Sequence, residues 1–398
     1  MTTRCMTMLV LGLMLAGPVA SVHAQKHANS PVAAPVRLDA HRTLGTPHTF
    51  HNLTLFPVYD PDARATNTYI TLDEGLKAKT VQVQESSDGG DVNTLYVTNH
   101  SNKSLYLMAG EVVLGGQQDR TLGLDHLIVA GATRTPVTVF CVEHGRWAGH
   151  ADFEESAPTV ASGDIRLHAQ ESNFYAERAV AKPAAGGAGR SAARAGGVEG
   201  RVANVAADAA VAISSSSRVS SGQQKVWDKV AAKNARFKTE SSTGTYRNTL
   251  TLSGGEAKRS VPAYERALES SMLKSSIGSD PHLIGVAACV NGKVIACDLF
   301  SDPALFQKLW PKLLRSYAAD AVEKMPRKGQ TPRAVTADQI KAFYVAATDA
   351  KTSAENRSAA STMLRLESKE ATTYRLLPAK AATAGGAPAP LHETVLHK

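Results

Sequence analysis

The sequence predicts an α+β fold with a mostly-β N-terminal half, helices packed on sheet in the C-terminal half, and a long low-complexity insertion. Three observations carry this. From residue 50 to 143, short runs of alternating or β-branched residues follow one another with turn material between them. After residue 223, apolar residues recur at helical spacing. Between these regions, Ala, Gly and Ser fill 27 of the 42 positions from 181 to 222, and no aromatic residue occurs there. The 398 residues are 43% hydrophobic and 20% charged, which supplies a core and excludes a wholly disordered chain, a coiled coil or a collagen-like fibre.

Residues 1–24 have the pattern of a secretory signal. Arg4 precedes the apolar run Met6–Ala16, Pro18 breaks it, and Val22-His23-Ala24 offers small residues at a cleavage site. The run is too short for a membrane span, so the expected location is exported, periplasmic or secreted, with no membrane span after signal cleavage. Residues 25–47 are expected as a flexible lead-in. One α+β domain is expected over 48–180 and 223–397, with 181–222 as linker or insertion, because that composition cannot bury enough surface to offset its ordering entropy.

Within the domain, strands are expected at Leu53–Leu55, Thr68–Leu72, Thr80–Gln84, Thr94–Thr98, Leu105–Leu114 and Val137–Val142. Gln223–Arg236 carries Val226, Trp227 and Val230 at helical spacing. The run Val290-Asn291-Gly292-Lys293 signals a hairpin turn. Ser301-Asp302-Pro303 signals a helix start, and the apolar stripe from Leu305 to Val322 is wide enough to seat that helix on a sheet, with Trp310 and Tyr317 as core residues. Further helices are expected at Ala337–Thr348 and around Ala354–Leu366. Strands return at Thr372–Leu377 and at His392–Leu396, where His392 and His397 fit an edge strand.

The formal charge of +8 is dispersed, without the basic clusters that nucleic-acid binding requires, so no nucleic-acid partner is expected. Cys5 leaves with the signal. A two-residue turn at Asn291-Gly292 would place Cys289 and Cys297 on opposite faces as free thiols, whereas a three-residue loop would reverse that parity. His144 and His150, or Asp125 beside His126, match no standard metal spacing, and no metal or cofactor is expected. Gly115-Gly116 lacks the lysine and context of a phosphate-binding loop.

Chemistry concentrates in three runs: Ala109-Gly110-Glu111, Gly115-Gly116-Gln117-Gln118-Asp119-Arg120, and Cys141-Val142-Glu143-His144-Gly145-Arg146-Trp147. Alternation ends each of two apolar rows in a carboxylate, Glu111 or Glu143. A carboxylate at a core edge needs a partner, and Arg120 and Arg146 are candidates able to grip one with two bonds. Two readings stay open. In one, these groups form a structural ion-pair network in a non-catalytic envelope binding or scaffold protein. In the other, which leads, they line a strand-end pocket for a small anionic, nucleotide-like ligand, with Gln117, Asp119, Arg120, Arg146 and Trp147 binding and Glu111 or Glu143 as acid or base for its hydrolysis or transfer if the protein is an enzyme. Cys141 is a weaker catalytic candidate, since His144, three positions on, points to the other face.

Together these runs resemble the domain named for its association with ADP-ribosylglycohydrolases and rhodanese-phosphatases. The resemblance continues through Val226-Trp227-Asp228-Lys229-Val230, the Gly292 hairpin, Asp298-Leu299-Phe300 and Trp310-Pro311-Lys312-Leu313-Leu314. It implies a mostly β fold with accompanying helices, a neighbourhood of nucleotide-derived chemistry, and motif positions at Glu111, Gln117, Asp119, Arg120, Cys141, Glu143, Arg146 and Trp147.

Overall fold

The C-terminal half is built on a sheet rather than on helices alone, because its strands complete a sheet begun near the N-terminus. The computed structural model describes residues 36–85, 93–146, 152–180, 221–254, 257–273, 280–327, 329–379 and 389–398. Among them, one ten-stranded sheet runs Val36–Arg37, Thr43–Leu44, Leu53–Tyr59, Leu283–Val290, Lys293–Phe300, His392–His397, Ala371–Pro378, Ser361–Glu367 and Thr352–Arg357. His48–Phe50 is added beside Leu53–Tyr59. Every residue of Leu283–Val290 is buried. Val286, Ala288 and Val290 enter one core with helices Ala257–Leu273 and Pro303–Glu323; Ile284, Ala287 and Cys289 enter another with helix Ala337–Thr348. A strand covered on both faces has no polar alternation, which is why 283–290 is apolar throughout.

The expected β-rich N-terminal half closes into a six-stranded barrel: Glu111–Gly115, Arg120–Leu122, Thr135–Cys141, Thr94–Asn99, Val81–Gln84 and Asp152–Val160. Val83, Leu95, Val97, Val113, Leu122, Val137, Val139 and Phe153 share its core. Ile165 and Ala169 of helix Gly163–Val180, and Val226 and Val230 of the helix over 221–237, pack with Phe140 and Val142 of the barrel wall. A three-stranded sheet, Tyr69–Thr71, Ser104–Leu107 and His126–Ile128, completes the β-structure of this half. No helix among the described residues is long and apolar enough to cross a membrane.

Several local signals act as expected. Asp302 caps helix Pro303–Glu323 by accepting from the Ala304 amide, with Pro303 in the first turn. Helix Ala337–Thr348 has its expected bounds; the reciprocal capping box of Thr336 and Gln339 that starts it is not among the expected signals. Trp310 and Tyr317 are core residues, each 2% exposed.

Other expectations are corrected. The single strand over Leu105–Leu114 is two strands in different sheets, broken at Met108–Gly110. Gly110 has φ +87°, and a Cβ there would lie 2.4 Å from Arg166 Cγ, so only glycine permits the turn. The strand expected to run to Leu72 ends at Thr71, whose side chain caps helix Leu72–Lys77 with Glu74. The helix expected around Ala354–Leu366 is a hairpin, Thr352–Arg357 with Ser361–Glu367. Pairing with Ala371–Pro378 along seven residue pairs outweighs the helix propensity of its Ala, Glu and Arg residues. Within the stretch expected as lead-in, Val36–Arg37 and Thr43–Leu44 join the large sheet. The helix over 221–237 begins just inside the expected linker; residues 1–35, with the signal segment, and 181–220 lie outside the described residues. His392 is not on an edge: its strand lies between Lys293–Phe300 and Ala371–Pro378.

The hairpin at Asn291-Gly292 has the expected two-residue turn, with Val290 opposite Lys293 and Cys289 opposite Val294. A bulge follows, however. Ala288 pairs with Ala296 and Ala287 with Cys297, so the parity reverses and both thiols enter the same core. Both are free and buried. Burial pushes the Cys289 thiol up to about 12 and raises that of Cys297 as well. Thiolate is the reactive species, so a thiol reagent such as Ellman's is expected to leave both unlabelled in the native protein and to label both in denaturant. Rapid labelling of either under native conditions would contradict this packing.

Candidate functional site

The Gly-Gly run makes the loop that places Asp119. Gly115 and Gly116 have φ of +124° and +56°, and a Cβ on Gly116 would lie 2.3 Å from Phe153 Cζ. This tight turn carries the chain from strand Glu111–Gly115 to strand Arg120–Leu122, with Gln117 exposed and Gln118, Asp119 and Arg120 buried. The Asp119 carboxylate accepts from the Gly115 amide at 3.0 Å, Thr245 Oγ1 at 3.1 Å, Arg247 Nε at 3.2 Å and Arg247 Nη2 at 2.9 Å. Arg146 Nη2 lies 3.4 Å from the same carboxylate.

Glu143, just past strand Thr135–Cys141, meets Arg146 as the sequence suggests. Arg146 Nε and Nη2 lie 2.9 and 2.8 Å from Glu143 Oε2, which also accepts from the Asp119 amide. Arg146 further donates to the carbonyls of Gly116 at 2.8 Å and Gly115 at 3.1 Å. One guanidinium thus ties the end of one strand to the loop between two others. The Asp119 and Glu143 side chains are 1% and 4% exposed, whereas those of Arg146 and Arg247 are 27% and 40% exposed.

Arg120 and Glu111 take other partners. Arg120 donates to Gln118 Oε1 at 3.0 Å and pairs with Glu85 at 3.3 Å; burial pushes the Glu85 carboxyl up against the pull of Arg120. Glu111 pairs with neither arginine. Its carboxylate lies 2.8 Å from Lys312 Nζ on helix Pro303–Glu323 and accepts from the Met108 amide at 2.9 Å. Lys312 also reaches Asp73 at 2.8 Å. Burial disfavours the Lys312 ammonium, but Glu111 and Asp73 more than offset it and raise its pKa. Burial raises the Glu111 carboxyl too, partly offset by Lys312. The reason for the misassignment is long range: Glu111 and Lys312 stand about 200 positions apart.

Cys141 is opposite Arg120 on the neighbouring strand. Its thiol is buried and raised by burial, with Arg120 opposing. The Gln223 side chain binds both its amide and its carbonyl at 2.8 Å. The strand ends at Cys141, and His144 faces Trp227 edge-on at 4.4 Å. Trp147 lies outside the described residues.

The structure therefore brings together Asp119, Glu143 and Arg146, with Arg120 and Cys141 on adjoining strands, and gives Glu111 a different cation. Sequence reasoning missed Arg247, Thr245, Glu85 and Lys312. Thr245 and Arg247 sit in the polar run Gly244–Asn248, where no local spacing announces a partner at Asp119. Three surface hollows, of about 930, 540 and 490 Å³, are walled by other residues and contain none of Glu111, Asp119, Arg120, Glu143 or Arg146.

A second polar centre is fully buried. Arg166, on helix Gly163–Val180, grips Asp298 with both terminal nitrogens, at 2.7 and 3.2 Å. His392 Nδ1 lies 2.6 Å from Asp125 Oδ2 and its Nε2 3.3 Å from Asp298 Oδ1. Tyr317 donates to Asp298, and Tyr106 Oη is 2.9 Å from His392 Nδ1. All six of these side chains are shielded from solvent.

No curated protein and no solved structure matches the chain. The family description that does match spans residues 41–388, which includes the Gly-Gly loop, the Glu143–Arg146 segment and the strands from Thr43–Leu44 to Ala371–Pro378. By that match over most of its length, the chain belongs to the ARG and rhodanese-phosphatase-superfamily-associated protein domain family.

Proposed function

We propose that this is an exported, non-catalytic binding or scaffold protein of the cell envelope, in which the Asp119–Glu143–Arg146–Arg247 cluster is structural. Residues 36–180 and 221–398 carry its one α+β domain and residues 1–24 its signal. One observation carries the reading. Glu111, Asp119 and Glu143 are sealed from solvent and each is occupied by donors of the same chain. A general base must reach a substrate proton directly or through one water. Among the described residues, these carboxylates reach arginines, a lysine, the Thr245 hydroxyl and backbone amides, all of the same chain.

The charges also balance locally. Arg120, Arg146 and Arg247 face Glu85, Asp119 and Glu143, so an arriving anion meets a carboxylate layer beneath the guanidinium groups. The partial exposure of Arg146 and Arg247 favours a second reading, a rim site for a small anionic, nucleotide-like ligand.

Thermal-shift measurements on the mature chain with nucleotides, sugar phosphates and peptidoglycan fragments, beside Arg146→Ala, separate the two. The structural reading expects Arg146→Ala to cost about 2–3 kcal/mol, because Glu143 is left buried without its cation. That corresponds to a fall of about 5 °C or more in Tm, with any ligand response unchanged. Stabilisation by a ligand that vanishes in Arg146→Ala would reverse the assignment.

A further inference from the structure

We propose that the largest of the three hollows described, between the Asn291-Gly292 hairpin tip and the connection from helix Pro303–Glu323 to helix Ala337–Thr348, binds a small ligand carrying several phosphate groups. The inference is independent of the function proposed above, since the hollow shares no residue with that cluster. Its volume of about 930 Å³ lies at the upper end of the range of roughly 300–1,000 Å³ for small-molecule sites.

Its wall is cationic. Lys293, Lys324, Arg327 and Arg333 line it, and no Asp or Glu does. All four are exposed, and among the described residues none of them forms an ion pair. The arrangement differs from the arginines of the barrel end, each of which meets a carboxylate. Four unneutralised cations around one concavity repel one another and focus a positive potential into it. A bound polyanion relieves that repulsion.

Cations near a helix C-terminus can simply complement its dipole. That accounts for Lys324, which caps helix Pro303–Glu323, and for Arg327 just beyond it. It does not account for Lys293, which comes from the hairpin, or Arg333, which precedes helix Ala337–Thr348 by several residues.

The walls are fixed in advance. Asn291 Nδ2 donates to the Lys324 carbonyl at 2.7 Å, and Asn52 Nδ2 reaches the same carbonyl at 3.3 Å. Gly292, with φ +77°, packs so closely that a Cβ would lie 2.6 Å from the Arg333 carbonyl oxygen. The loop closes on itself through the Gln330 amide to the Arg327 carbonyl at 2.9 Å. Preorganisation of this kind lowers the cost of binding. Phosphate groups fit the wall because each carries roughly 1.5–2 negative charges and accepts the paired donors of arginine as well as the ammonium of lysine.

Phosphate chemistry could come from a soluble phosphate ester or from a lipid headgroup, and the test has an arm for each. Calorimetric titration of the full chain with inorganic tripolyphosphate at low salt is expected to show saturable binding. That binding should weaken at least about tenfold in Lys293→Gln/Arg333→Gln and fall with ionic strength. Lys258→Gln/Arg259→Gln, two exposed cations on another helix, should change it less than about twofold. Sedimentation with phosphatidylglycerol vesicles, and with phosphatidylcholine vesicles as blank, identifies a lipid source if retention requires Lys293 and Arg333. Tripolyphosphate binding without vesicle retention identifies a soluble one. The proposal is overturned if tripolyphosphate gives no saturable heat up to roughly millimolar concentration, or if both double variants lose affinity equally.

Discussion

Replacing Asp298 with asparagine is expected to destabilise the protein by about 3–5 kcal/mol, the largest effect of any single polar substitution considered. The carboxylate sits at zero exposure between the Arg166 guanidinium, His392 and the Tyr317 hydroxyl. These partners hold its pKa far below the usual carboxylate range although burial pushes the other way. Asparagine keeps the shape but removes the charge, leaving Arg166 buried with no carboxylate partner of its own and its Nε already without one. With a total stability of roughly 5–15 kcal/mol for a folded domain, the variant should unfold at markedly lower urea, with an unchanged slope. Arg166→Met/Asp298→Leu, which removes both charges, is expected to cost much less than the sum of the single changes. A single-variant loss below about 1 kcal/mol would mean that the pair contributes little.

The second large effect is a loss of stability on the alkaline side, traced to His392. Burial alone would lower its pKa, but Asp125 and Asp298 raise it from an ordinary 6.5 to about 9. A histidine whose pKa is raised by folding binds its proton more tightly in the native state. Its contribution is therefore complete below about 6.5 and is lost as pH climbs through about 9. At 1.36 kcal/mol per pKa unit this amounts to roughly 3 kcal/mol. Urea unfolding at a series of pH values should show stability falling across that interval. In His392→Gln the fall should flatten, on top of a lower stability at neutral pH. Equal slopes for the two proteins would assign the alkaline loss to other groups. Asp298 adds the opposite limb, because a carboxyl depressed by folding contributes above its unfolded pKa and loses that contribution on acidification.

The local signals in the sequence were legible where the cause is local. The Asp302-Pro303 cap and the Asn291-Gly292 turn depend on residues within four positions, and both are present. The α+β class and the barrel strands Val81–Gln84, Thr94–Asn99 and Thr135–Cys141 followed from alternation, whereas Arg120–Leu122 and Asp152–Val160 did not. What could not be read is set by distant partners. The hairpin at 352–367 is a strand pair because Ala371–Pro378 lies beside it. The bulge beyond Cys289, which leaves Ile295 without a partner across the hairpin, is not announced by the residues of the turn. For the candidate site, the Glu143–Arg146 pair was legible at three positions' separation, whereas Lys312 for Glu111 and Arg247 for Asp119 were not. The buried centre was missed for the same reason: its ionised groups come from a barrel-side turn, a helix and two strands, and an edge position for His392 concealed its role.

The central place of His392–His397 in the large sheet bears on what the sheet needs in order to close. Without that segment, Lys293–Phe300 and Ala371–Pro378 each lose the strand with which they pair. Both rims would then expose unsatisfied amides and carbonyls beside apolar side chains, the condition under which chains cross-pair or recruit holdases. Truncation before residue 392 is expected to leave the protein prone to such association.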